Sequence, residues 1–209
     1  MRLGVTFRIV GGLLMFFSAT MLPPLFVSVF YQDGAHAIFI KAAAVIFASG
    51  FSLWLLFRRF TEALRTKDGF LVTVLCYITL GCFSALPFTD SPNTALSLVD
   101  ALFESFSGLT TTGATVMIGL ESLPQSLLYY RQQLQWLGGM GIIVLAVAVL
   151  PMLGIGGMQL YRTETPGPVK DSKLTPRIKQ TAMALWSIYL SLTIACCLAY
   201  WVAGMSFFQ

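Results

Sequence analysis

Long runs of hydrophobic residues separated by short polar gaps dominate this sequence. Four of the runs carry almost no charge and cover residues 9–30, 37–57, 70–88 and 182–203. A helix needs about 20 apolar residues to cross about 30 Å of hydrocarbon, so each run predicts a transmembrane helix. A fifth run, 134–158, is also long enough and is rich in glycine.

The first run contains two adjacent prolines, Pro23 and Pro24. Proline lacks an amide hydrogen and bends or stops a helix, so the pair is predicted to mark the outer end of this helix. The run is too long, and too far from a small-residue cleavage site, for a signal peptide. We therefore expect it to remain in the mature protein.

The segment 89–133 is longer than an ordinary connection between two transmembrane helices. It contains an apolar helical pattern at 94–109, and Ser91 and Pro92 supply the predicted cap and first-turn proline. At 1.5 Å per residue, such a helix is about 22 Å long. Because this length is too short to span the bilayer, the helix is predicted to be re-entrant or interfacial.

Composition and charge place the chain in a membrane. Hydrophobic residues make up 56% and charged residues 11%, which excludes a soluble surface, and the mean hydropathy is +0.78. The net charge of +4 does not indicate a nucleic-acid partner, because the basic residues lie in short gaps between apolar runs. Three gaps predicted to be cytoplasmic, the N-terminus among them, hold Arg2, Arg8, Arg58, Arg59, Arg65, Lys67, Arg162, Lys170, Lys173, Arg177 and Lys179.

The opposite gaps carry acidic residues, with Arg131 as the main exception. One pair of these acids, Asp100 and Glu104, lies four residues apart on the predicted short helix. These carboxylates either attract cations at the outer mouth or form a hydrogen bond with the back of the segment that follows. The remaining acids of this side are Asp33, Asp90 and Glu121.

The short helix leads directly into the sequence Thr-Thr-Thr-Gly-Ala-Thr at 110–115. Irregular backbone at membrane depth is tolerated only where it lines a cavity, and carbonyl oxygens there can replace the hydration shell of a potassium ion. Gly113 can adopt a positive φ that lets successive carbonyls point the same way. The negative end of the helix dipole would also favour a cation. This segment therefore predicts one re-entrant selectivity filter.

Two motifs resemble a known family. The sequence FSGLTTTGA at 106–114, followed by QWLGGMG at 135–141, is similar to the first pore repeat of the Trk/Ktr/HKT potassium transporter superfamily. The segments ETPGP at 164–168 and LTPR at 174–177 resemble the linker between its first and second repeats. Two additional N-terminal helices indicate the Trk branch, and the resemblance covers essentially the whole chain.

The resemblance implies an all-α integral membrane fold built from outer helix, re-entrant pore helix with filter, and inner helix. Residues 1–67 would form two N-terminal transmembrane helices, and 68–161 the first pore repeat. Residues 162–209 would form a cytoplasmic linker and the first helix of a truncated second repeat. Family members carry four repeats, so this chain is expected to be a fragment, or else several copies must assemble.

The resemblance also implies a function and a site. The family's filter glycine falls on Gly113, and the ion-facing carbonyls fall on Thr111, Thr112 and Gly113, with Ala114 contributing and Thr110 a weaker candidate. A filter with one glycine and no tyrosine implies weaker discrimination against sodium. Potassium would be the transported substrate, with no covalent cofactor and no catalysed reaction. The setting would be the bacterial inner membrane, with a cytoplasmic N-terminus, a homodimer of the full-length protein and a nucleotide-binding TrkA-type regulatory subunit.

Several alternatives remain open at the level of sequence. A sodium-coupled solute symporter also places unwound backbone at mid-membrane, and a truncated chain can insert without transporting. An intramembrane enzyme is disfavoured because the predicted spans lack a serine–histidine or paired-aspartate arrangement. Gly138, with its neighbours in the fifth run, serves either close helix contact or a gating hinge. Pro151 is predicted to loosen the inner end of that helix.

Overall fold

The computed structural model describes residues 3–60, 66–91, 96–149 and 174–206, and these residues form helices and turns with no strand among them. They belong to two compact units, Met1–Gly139 and Met140–Gln209. Short 3-10 turns lie at Ala19–Met21 and Leu120–Ser122. The α-helices are α1 Leu3–Ser18, α2 Leu22–Tyr31, α3 His36–Phe57, α4 Thr66–Ser84, α5 Leu86–Thr89, α6 Leu98–Leu109, α7 Gln125–Val149 and α8 Leu174–Val202.

Four helical stretches are long and apolar enough to cross a membrane: Leu3–Tyr31, His36–Phe57, Asp68–Thr89 and Ala182–Val202. They correspond to the four runs that carry almost no charge, so the predicted all-α membrane class is confirmed. The fifth predicted run falls on α7, which begins nine residues earlier than the run, at Gln125. Its predicted inner end, including Pro151, lies outside the described residues, as do most of the predicted cytoplasmic linker residues.

The two prolines of the first span do not end it, and that prediction is wrong. Pro23 and Pro24 occupy the first turn of α2, where a helix leaves amide hydrogens unpaired in any case, and α2 continues to Tyr31. The prolines lack the amide hydrogens that the preceding turn would bond to, and this turn is a tighter 3-10 segment. The first span is therefore one helical crossing with a local interruption.

The first and second spans cross at two glycines. A Cβ built on Gly11 would lie 2.8 Å from the carbonyl oxygen of Gly50, and one built on Gly50 would lie 2.8 Å from the carbonyl oxygen of Gly11. Real Cβ atoms do not approach so closely, so only glycine permits this backbone contact between α1 and α3. The two helices thereby form a hairpin, closed by the turn at 32–35.

A polar cluster ties α4 to α6 and α7 in the interior of the first unit. The hydroxyls of Ser84 and Ser105 lie 2.7 Å apart, and the Ser105 hydroxyl donates to the carbonyl oxygen of Gly81. The Tyr130 hydroxyl donates to the carbonyl oxygen of Ser84 at 2.9 Å. Within hydrocarbon, such hydrogen bonds between helices hold the packing where apolar contact alone does not distinguish helix from lipid. The rings of Phe39 and Phe88 pack against Tyr130.

In the second unit, α8 runs over Leu174–Val202, and the chain turns after it at Gly204, whose φ is +94°. None of the residues in the apolar window of its span is buried within this chain. The helix contains the predicted run 182–203 almost completely. A largely apolar helix of this kind is stable only against lipid or other transmembrane helices.

Candidate selectivity filter

The short helix that precedes the filter segment, α6, begins at Leu98 and is capped by Ser97. The amide of Asp100 donates to the Ser97 hydroxyl at 3.2 Å, and the Ser97 amide donates to the Asp100 carboxylate at 3.3 Å, which is a reciprocal capping box. The predicted cap at Ser91 and start at Thr94 are therefore wrong, since Leu96 and Ser97 are not helical; residues 92–95 lie outside the described part. Asp100, as the third residue of α6, completes the cap formed by Ser97.

The filter segment begins with a tight turn at the C-terminus of α6. The amide of Thr112 donates to the carbonyl oxygen of Ser107 at 2.9 Å, and the amide of Thr111 donates to that of Gly108 at 3.0 Å. This pair of bonds is a Schellman motif, which places Thr111 at the left-handed position that glycine usually occupies. Its φ is +58°. A residue with a Cβ costs about 1–2 kcal/mol in this conformation.

Gly113 adopts the positive φ that the sequence predicted, at +73°. After it, the chain runs back along the outside of α6, which places the carbonyl groups of 110–113 in a reversal at the end of the helix. The residues from Thr110 to Val116 are exposed in this chain. Two left-handed residues within three positions give this stretch its compact shape.

Glu104, on α6, forms hydrogen bonds with the segment that follows Gly113. Its side chain is buried, with 1% of the residue exposed. One oxygen, Oε1, accepts hydrogen bonds from the Thr115 hydroxyl at 2.5 Å and from the Val116 amide at 2.6 Å. Of the two acidic residues of this helix, Glu104 therefore forms the predicted hydrogen bonds with the segment that follows α6.

Arg131, on α7, pairs with Glu104 and with the filter backbone at once. Its Nε donates to Glu104 Oε2 at 3.0 Å, and its Nη2 donates to the carbonyl oxygen of Gly113 at 3.0 Å. The two side chains are only 10% and 0% exposed. Sequence reasoning missed this role. The available signal was a single basic residue in an otherwise acidic outer segment, because a charge in apolar surroundings needs a partner.

The backbone carbonyls of the segment fall into two groups. The Ala114 carbonyl accepts a hydrogen bond from the Ser107 hydroxyl at 2.6 Å, and the Gly113 carbonyl accepts one from Arg131. No hydrogen bond from the described residues reaches the carbonyl oxygens of Thr111 and Thr112. The predicted ligand set of Thr111, Thr112 and Gly113 stays a prediction, and only the first two carbonyls are free of internal partners in this part of the chain.

Glycines let α6 pack closely on α7. A Cβ on Gly108 would lie 2.9 Å from the Cβ of Leu134, and one on Gly138 would overlap the carbonyl oxygen of Leu109. Gly138 therefore serves helix contact in this structure, which is the first of its two predicted roles. Among the described residues, no group of histidine, cysteine, aspartate and glutamate forms a metal site.

Comparison with known proteins gives the family. Residues 35–207 match the family model TrkH, described as a cation transport protein. The chain belongs to the TrkH family. This membership confirms the predicted resemblance. Within the TrkH family, the Trk system potassium uptake protein TrkH of Halomonas elongata is 57% identical over 209 residues, which is 100% of this chain and 43% of that protein.

Two further TrkH relatives agree. The TrkH of Escherichia coli K12 is 56% identical over 202 residues, which cover 97% of this chain and 42% of that protein. The crystal structure of the potassium transporter TrkH from Vibrio parahaemolyticus matches with a TM-score of 0.85 and 50% identity, covering 100% of this chain and 41% of that one. The chain thus spans about two fifths of the length of the TrkH proteins it matches.

Proposed function

We propose that this chain is part of a potassium uptake protein in which residues 110–115 form one segment of the selectivity filter. The observation that carries the proposal is the contrast within one turn. The carbonyl oxygens of Thr111 and Thr112 have no partner among the described residues, whereas those of Gly113 and Ala114 are held by Arg131 and Ser107. The TrkH relatives are named potassium uptake proteins, which supports the same ion.

The physical basis is replacement of the ion's hydration shell by carbonyl oxygens held in place. Oxygens on a loose loop would collapse around a smaller ion, so a rigid backing is required. The buried pair Glu104 and Arg131 supplies that backing. The Gly113 carbonyl has two lone pairs, so it can accept the Arg131 hydrogen bond and still face an ion. The α6 C-terminus adds partial negative charge.

A single segment cannot surround an ion, so the transporting unit must contain several. We infer that the intact protein carries four repeats around one pore, consistent with relatives more than twice as long as this chain. In this arrangement 68–161 is the first repeat, 1–67 is an N-terminal helical pair, and 162–209 begins the second repeat. The exposed side of 110–116 would face the pore and the other repeats.

The topology follows from charges at the two ends of the hairpin. Arg8 donates to the carbonyl oxygen of Phe60, which brings the first basic gap to Arg58 and Arg59 at one end. Lys41 pairs with Asp90 at 2.7 Å nearer the other end. By the positive-inside rule, the N-terminus is cytoplasmic in the bacterial inner membrane. As the resemblance implies, the intact protein is a homodimer regulated by a TrkA-type nucleotide-binding subunit. It catalyses no chemical reaction.

The test is ion preference in liposomes that contain the complete transporter. Gly113→Ser forces a Cβ into the left-handed region within the filter and should lower the preference for potassium over sodium. Gly204→Ser is the matched control, because Gly204 also has a positive φ, +94°, with nothing within 4 Å of an added Cβ, and lies outside both the filter and the hairpin. Unchanged ion preference in the Gly113 variant would reject the filter assignment. Sodium-driven solute flux without potassium conductance would support a symporter instead.

A further inference from the structure

We propose that the N-terminal hairpin, formed by α1, α2 and α3, is a positioning element for ion selection that acts on the filter through α7. The inference rests on the proposed filter function. Its two hydrogen-bonded contacts are Gln133 against the first span and Asp33 against the first turn of α7, beside the ring contact of Phe39 with Tyr130. Both contacts lie within the first compact unit. Neither residue touches the filter, so both are positioning residues.

The first contact repairs a gap in the backbone hydrogen bonding of the first span. In a helix the carbonyl oxygen of Thr20 would accept from the amide three or four residues later, but those residues are Pro23 and Pro24, which have none. The side chain of Gln133 donates its Nε2 hydrogen to this oxygen at 2.6 Å. Backbone oxygens inside a membrane must find a partner within the protein. The prolines therefore create an acceptor that only a neighbouring helix can fill, and α7 fills it.

The second contact holds the beginning of α7. Asp33 Oδ2 accepts from the amide of Ser126 at 2.9 Å, and this amide belongs to the first helical turn, which has no intrahelical partner. Asp33 is itself fixed, because its Oδ1 accepts from the Ser28 hydroxyl and from the Ala35 amide. A carboxylate at a helix N-terminus is also favoured by the helix dipole.

The two anchors lie about two helical turns apart on α7, and Arg131 lies between them. Two contacts at that spacing on one side of a helix fix its rotation about its axis and its position along that axis. Arg131 leaves the same segment and reaches the Gly113 carbonyl at 3.0 Å. A shift of about 1 Å would break that bond, since hydrogen bonds weaken beyond about 3.2 Å. The hairpin thus sets the position of the charge behind the filter.

The experiment measures potassium and sodium flux of the complete transporter in liposomes. Gln133→Met keeps the length of the side chain and removes the donor, and we expect the potassium preference to fall about fivefold. Adding Pro24→Ala supplies a backbone amide for Thr20, so thermal stability should recover while ion preference stays low. A purely structural Gln133 would instead regain both. Asp33→Ala should lower ion preference independently. Lys41→Gln, which breaks an exposed contact of the hairpin away from α7, should leave it unchanged.

The outcomes separate this inference from the filter assignment when Gly113→Ser is measured beside them. If Gly113→Ser alters ion preference while Gln133→Met and Asp33→Ala do not, the positioning role is wrong and the filter assignment stands. If none of the three alters it, both are wrong. Full recovery of ion preference in the Pro24→Ala, Gln133→Met double variant also overturns the positioning role, because the contact with α7 is still absent there.

Discussion

Arg131 places its guanidinium against the backbone of Gly113, with Nη2 3.0 Å from the carbonyl oxygen. The same group is neutralised by Glu104, so a buried ion pair joins α6, α7 and the filter segment at one point. A planar guanidinium reaches two acceptors in fixed directions, which an ammonium cannot do. The filter segment is therefore supported by a directional contact as well as by packing.

Breaking this ion pair should be costly from either side. We expect Arg131→Met to lower the free energy of unfolding by about 3–5 kcal/mol, because Glu104 is left charged and unpaired in a buried site. The Glu104→Gln, Arg131→Met double variant should be less destabilised than Arg131→Met alone. Thermal unfolding in detergent measures both. An Arg131→Met protein as stable as the unaltered one would contradict the buried pair.

Arg131→Lys tests the direction of the contact separately from its charge. Lysine keeps the positive charge near Glu104 but cannot reach both acceptors with a fixed fork. The variant should therefore fold, retain most of its stability and lose ion preference in flux measurements. Equal loss of stability in the lysine and methionine variants would show that the charge alone is insufficient for folding, and unchanged preference would show that the direction is immaterial.

The protein should be less stable with threonine at position 111 than with glycine, because the backbone there is left-handed. Thr111→Gly removes the Cβ from a left-handed position and should raise the free energy of unfolding by about 1 kcal/mol. Gln32→Gly is the control, because Gln32 is the other described non-glycine residue with a positive φ, at +54°, and it lies outside the filter. Both variants should gain stability, but only Thr111→Gly should change ion preference, since strain at a functional segment restricts its conformations.

Because Gly138 packs against the backbone of Leu109, adding a single methyl group at position 138 should lower the stability of the protein. Gly138→Ala would bring its Cβ into the Leu109 carbonyl and push α7 away from the end of α6, at a cost of about 1–3 kcal/mol. Gly12→Ala is the matched control in a helix, because its Cβ would meet nothing within 4 Å. That variant should be neutral or slightly stabilising. A comparison of the two unfolding midpoints measures the difference.

Asp33 gives the hairpin contact a dependence on pH. Partial burial raises the pKa of this carboxyl, but hydrogen bonds from Ser126, Ser28 and Ala35 outweigh it, so the net pKa lies below its ordinary value. The stabilisation is therefore present above the unfolded-state pKa of about 3.9 and is lost as pH falls through the lower folded-state pKa. The unfolding midpoint of Asp33→Asn should differ most from the parent near neutrality and converge with it below about pH 4.

Hydrophobic run length was sufficient to predict the four spans, because in a membrane the length of an apolar run is set by the bilayer itself. The filter reversal was predictable at Gly113 for a similar reason, since glycine favours positive φ. The same reasoning missed Thr111, whose residue type argues against a left-handed conformation. The cap at Ser97 was visible as Ser-Leu-Val-Asp, a capping pattern that competed with Ser91 and Pro92.

Contacts between residues far apart in the chain could not be predicted from the sequence. The pairing of Arg131 with Glu104 and Gly113, and of Gln133 with Thr20, depends on which faces of separate helices meet. Periodicity gives the apolar face of a helix, but it gives neither the helix that this face contacts nor the position of the contact along the axis. The prolines of the first span were misjudged for this reason: their effect is decided by a donor more than a hundred residues later.

Three side chains that support the filter turn, Glu104, Ser107 and Arg131, lie close together in sequence. During synthesis on the ribosome, these residues emerge together, before any later part of a longer polypeptide is made. We therefore expect this turn to acquire its shape at the translocon, as soon as α7 has been made.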